Sequence, residues 1–133
     1  MKFVYTQPKT NDSYTNDCMI RAVSIATCIN YNKVLAGFIL NGWHMYKSGR
    51  RSGNRMYDET LKLLGVKFNQ YDIDPDNEHP TTLCKWVNMS NDGRDGLIAI
   101  YILPSHACCV IDGVLYDTFD CSDRIVKGCW EIL

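Results

Sequence analysis

Two dense apolar runs, the second joined to a third by an Asp-Gly pair, constrain this chain more than any other feature. Gly96 to Leu103 and His106 to Asp112 are apolar almost throughout, and Asp112-Gly113 separates the second run from Val114 to Phe119. Asp-Gly between two such runs signals a two-residue hairpin loop, because both turn positions need a positive φ that Asp and Gly tolerate. Ile125 to Ile132 reads as a final strand, so the second half of the chain is predicted to be mostly antiparallel sheet.

The first half has a different period. Asn16 or Asp17 can cap a helix that starts at Cys18 and repeats Met19, Ala22, Val23, Ile25, Ala26 and Ile29 at helical spacing. Asn30 or Asn32 can cap a second helix, with Val34, Leu35, Phe38, Ile39 and Trp43 as its apolar stripe, ending near Tyr46. Lys47 to Asn54 is a basic, glycine-containing loop, and a third helix over Arg55 to Leu64 stops at Gly65. Val66 to Tyr71 alternates like a strand, and Thr81 or Thr82 can cap a short helix with Leu83, Trp86, Val87 and Met89. Residues 1 to 15 suit a short strand or extended arm. Helices first and an antiparallel sheet second predict an α+β fold, and 133 residues suit one domain with a real core.

Charge and cysteine usage narrow the function classes. Fourteen basic and fifteen acidic residues leave a net charge of -1, which gives no general electrostatic reason to bind nucleic acid or an anionic membrane. No stretch approaches the roughly 20 apolar residues of a membrane span. Met1 to Tyr5 runs at once into the polar Gln7-Pro8-Lys9, so no secretory signal is expected. The seven cysteines lack a framework spacing, so free thiols in a reducing cytoplasm are the expectation.

Within that frame Cys18, His106 and Asp117 are the candidate catalytic residues. A thiol is a nucleophile as thiolate, which a helix N-terminus and a nearby imidazolium both favour. If Asp112-Gly113 is a two-residue loop, Ile111 faces Val114 and His106 faces Phe119. Asp117 then projects on the face of His106 within diagonal reach, whereas Asp120 points to the other face unless the hairpin is bulged. Asp117 would fix the imidazole tautomer and stabilise the imidazolium that pairs with Cys18, as in a Cys/His/Asp triad. The Cys18 backbone N–H is one candidate oxyanion donor. Asn16 is the candidate side-chain donor, with Asn11 and Gln7 also close, although helix capping competes for Asn16.

Other groups have plainer readings. Cys108, Cys109, Cys121, Cys129 and His106 crowd the C-terminal quarter, but without a Cys-x-x-Cys knuckle the spacing argues against structural zinc, and no metal or other cofactor is expected. Adjacent Cys108 and Cys109 should point to opposite sheet faces. His44 and His79 suit surface roles, and the three tryptophans suit packing. Lys47, Arg50 and Arg51 are candidates for a recognition loop.

The Asn16-Asp17-Cys18-Met19-Ile20-Arg21-Ala22 segment, the His106 to Thr118 hairpin, and Arg124-Ile125-Val126 followed by Trp130 together resemble papain-like cysteine peptidases, in particular small bacteriophage and bacterial proteins. The chain departs from that family upstream, where Asp12 stands at the six-residue offset that often holds a glutamine. The resemblance implies a nucleophile helix packed on a C-terminal antiparallel sheet that carries His and its orienting residue. It also implies acyl transfer through a thioester on a peptide or protein substrate, without a cofactor. Such folds also host transferases and silent binding proteins, so a host protein blocked through the Lys47 to Arg55 loop is the alternative partner.

Overall fold

The computed structural model describes residues 1–9, 16–43, 53–89 and 96–133. Asn11, Asp12, His44, Lys47, Arg50 and Arg51 lie outside these residues, and so does most of the basic loop expected between the second and third helices. The described elements are β1 (Phe3–Tyr5), α1 (Cys18–Thr27), α2 (Tyr31–Leu40), α3 (Gly53–Leu63), β2 (Phe68–Asp72), α4 (Leu83–Met89), β3 (Ile98–Leu103), β4 (His106–Ile111), β5 (Val114–Asp117) and β6 (Gly128–Ile132). The fold is therefore α+β, with four described helices.

The strands form one six-stranded sheet in the order β1-β5-β4-β3-β6-β2. Four strands from the last third of the chain make its antiparallel centre, as their apolar runs predict. The edges correct the expectation of a wholly C-terminal antiparallel sheet. β1 pairs parallel with β5, Phe3 opposite Leu115, and β2 pairs antiparallel with β6, Phe68 opposite Ile132. Both edge strands precede the four central strands in the chain, and the parallel β1–β5 pair makes the sheet mixed.

The apolar runs of β3 and β4 are nearly continuous because both faces of the sheet are covered, the situation in which strands lose their polar alternation. Ile100, Ala107, Cys109 and Trp130 join one core with Ile20, Val23, Phe38, Tyr57 and Leu61 of the first three helices. Tyr101, Leu103, Cys108, Val110 and Leu115 join a second core with Leu83 and Val87 of α4 and with Cys121. Cys108 and Cys109 thus face opposite sides, as adjacent strand residues must.

Turn chemistry sets the register. Asp112 and Gly113 both have positive φ, 52° and 76°, which gives the primed turn that matches strand twist, and Ile111 pairs with Val114. On the other side of β4, Pro104 and Ser105 link the paired residues Leu103 and His106, with Ser105 at φ 55°. His106 therefore lies at the end of the sheet, immediately after a tight turn.

Candidate active site

Cys18 opens α1, and the residue before it determines how that helix begins. Of the two candidates Asn16 and Asp17, Asp17 occupies the cap position, but it makes no side-chain cap bond. Its carboxylate is buried and accepts a 2.5 Å hydrogen bond from the Tyr31 hydroxyl, pairs with Arg21, and lies 4.0 Å from Lys9 Nζ. The Asp17 carbonyl takes the amides of Ile20 and Arg21, so the helix ladder begins after Cys18 and Met19. The amides of Cys18 and Met19 thus sit at the positive end of the helix ahead of its first internal bonds. Cys18 itself is half-buried and packs against the first core.

Across the sheet end, His106 Nε2 lies 2.5 Å from Asp117 Oδ2, and both side chains are buried. Diagonal reach on one hairpin face, the parity argument from the sequence, is the geometry observed. Asp117 is held on both oxygens: Oδ1 accepts from the Thr118 amide at 2.7 Å, and Oδ2 also accepts from the Cys121 thiol at 3.5 Å. Asp120, by contrast, is exposed, and hydrogen bonding from the Ser122 side chain and then from its amide, at 3.0 Å, lowers its pKa. The Phe119 ring stacks at a tilt 4.7 Å from the His106 ring and carries the Arg124 guanidinium 5.0 Å from its centre.

The electrostatics of His106 follow from these neighbours. Burial opposes the charged ring, but hydrogen bonds with Asp117, Cys121 and Cys18, together with the Asp117 charge, outweigh it and raise the pKa to about 11. The imidazolium is thus the resting form at neutral pH. With Nε2 committed to Asp117, Nδ1 is the nitrogen left for the thiol of Cys18.

Of the three residues the sequence puts forward, the fold pairs His106 directly with Asp117, and Cys18 is among the neighbours that raise the His106 pKa. Asn16 stands beside them with a left-handed backbone, φ 54°, and an exposed side chain. Because the cap position falls on Asp17, capping does not claim its amide. Gln7 instead accepts from the Lys9 amide at 3.1 Å, and His79 is exposed.

Three contributors were missed: Tyr31, Arg21 and Cys121. Arg21 follows Asp17 at helical i,i+4 spacing, a signal available in the sequence; the approaches of Tyr31 and Cys121 depend on tertiary folding. Cys121 is fully buried, and hydrogen bonding from Cys108 and then His106 lowers its pKa to about 7 against the opposing effect of burial. Its partner Cys108 is pushed well above the ordinary thiol range by that same bond and by burial.

Comparison of the chain with protein-family models, with curated proteins and with solved structures finds no match.

Proposed function

We propose that this protein is a papain-like cysteine hydrolase that cleaves an amide, peptide or isopeptide bond, with Cys18 as nucleophile, His106 as acid and base, and Asp117 as its orienting carboxylate. The observation that carries the reading is the position of His106, bonded through Nε2 to a fixed buried carboxylate at 2.5 Å, with Cys18, a half-buried residue at a helix start, among the neighbours that raise its pKa. Cys121 also reaches His106, but it is fully buried, so Cys18 is the thiol a substrate can meet.

The chemistry follows from the positions. Cys18 Sγ, as thiolate beside the imidazolium, attacks the carbonyl carbon and drives its electron pair onto oxygen. The Cys18 amide, ahead of the helix ladder, is the backbone donor for that oxyanion, and Asn16 is the side-chain candidate. His106 gives its Nδ1 proton to the leaving nitrogen as the C–N bond breaks, leaving a thioester and a neutral imidazole. Water then loses a proton to Nδ1 as it attacks the thioester, and the carboxylic acid departs with restoration of the thiolate-imidazolium pair. Asp117 keeps Nε2 as the donor towards it throughout, so that Nδ1 remains the working nitrogen.

Acylation by p-nitrophenyl acetate tests this reading. A burst of p-nitrophenol with an acetyl group mapped to Cys18 is expected, and Cys18→Ser should lose both while keeping its fold. Acetylation spread over the exposed Cys28 and the half-buried Cys84, without a Cys18 adduct, would overturn the hydrolase reading in favour of a silent binding protein.

A further inference from the structure

Cys121 takes no part in the proposed acyl transfer, yet it is fully buried against Asp117 on the side that the chain turns over after β5. Among the described residues, His106, Asp117 and Cys121 form the group of three side chains whose ligand atoms all lie within 4.8 Å of one another. We propose that His106 Nε2, Asp117 Oδ2 and Cys121 Sγ form a binding site for a borderline-soft divalent cation of the zinc class.

Donor chemistry and spacing both support this assignment. Imidazole nitrogen, carboxylate oxygen and thiolate sulfur are the three protein ligand types that zinc accepts, at about 2.0–2.1, 2.0–2.2 and 2.3 Å. Tetrahedral angles then place sulfur and oxygen about 3.5 Å apart and nitrogen and oxygen about 3.3 Å apart. The Cys121 Sγ to Asp117 Oδ2 separation is already 3.5 Å. The His106 Nε2 to Asp117 Oδ2 separation is 2.5 Å with a proton between, so it must open by about 0.8 Å as the cation replaces that proton. The thiol proton of Cys121 leaves as well, and both pass to water. The missing Cys-x-x-Cys motif does not weigh against this site, because its three donors come from the start of β4, the end of β5 and the turn beyond.

The cation takes the place of the Nε2 proton that the proposed acyl transfer needs on His106, so bound cation and acyl transfer exclude one another; the site does not depend on Cys18, and its test keeps the two proposals apart. Titrating metal-free protein with Co²⁺ should give a sulfur-to-cobalt charge-transfer band and tetrahedral d–d bands, which excess Zn²⁺ removes. Cys18→Ser and Cys28→Ser should retain both bands, and Cys121→Ser should lose the charge-transfer band. Should Cys121→Ser fail to fold, ¹¹³Cd NMR of the wild-type chain reads the ligand set directly, with a shift to the sulfur-ligated range expected. Absence of a cobalt spectrum, loss of the band in Cys28→Ser or Cys84→Ser, or a cadmium signal in the all-oxygen range would overturn the site.

Discussion

Asp117 and Asp120 are three residues apart, and their surroundings give them different work. Asp117 is buried with its oxygens tied to His106, Thr118 and Cys121, whereas Asp120 is exposed at a turn. Asp117→Asn removes the charge that favours the imidazolium and lets the amide present the wrong hydrogen-bonding group to Nε2. Acylation of Cys18 by p-nitrophenyl acetate should slow by about 10²-fold or more, within the up to ~10⁴-fold cost of the corresponding change in a serine triad. Asp120→Asn should stay within about twofold, as expected for a surface position. Strand parity made this distinction readable from the sequence, because one turn of known loop length fixes which side chains share a face. Cys121 was not readable in that way: it lies past the end of β5 and before β6, where no period relates it to His106.

At the level of elements, close approach and turn conformation decide what each segment tolerates. Gly37 lets α2 meet α3, since a β-carbon there would lie 3.2 Å from Thr60 Cγ2. Thr60 is fully buried and its hydroxyl accepts from the Asn41 side chain at 3.0 Å, so it has little room to yield. Gly37→Ala should therefore lose more through this contact than the roughly 1 kcal/mol that alanine gains in helix propensity. A lower midpoint in urea unfolding is expected. Gly113→Val should also destabilise, by about 1–2 kcal/mol, because a β-branched residue is strained at φ 76°. Its unfolding should be easier without change in the ladder registers of β3 and β6. The central strands, α1 and the stop at Gly65 were legible because each rests on local period or turn chemistry. The pairing of β1 with β5 and of β2 with β6 was not, because three- and five-residue edge strands carry no sequence mark of their distant partners.

Across the whole molecule, the central strands β3 and β4 are buried on both faces and the buried His106-Asp117 pair lies at the sheet's end, so charge there is linked to folding. The His106 pKa is raised from 6.5 to about 11, so its contribution to stability is fully present below pH 6.5 and is lost as pH rises through about 11. In chelator-containing buffer, the unfolding free energies of wild type and His106→Gln should differ most near the acidic end of that window and converge towards its alkaline end. Removing one member of a buried ion pair typically costs about 3–5 kcal/mol, which sets the scale of the difference. The same resting imidazolium is what makes Cys18 reactive in this account. Brief iodoacetamide labelling with mass mapping tests that claim most directly, with the exposed Cys28 as internal reference. At about pH 6, well below the ~8.5 at which an ordinary thiol ionises, Cys18 should label several-fold faster than Cys28, and His106→Gln should abolish that lead. Faster labelling of Cys28 in the wild type, or labelling of Cys18 only after unfolding, would contradict it.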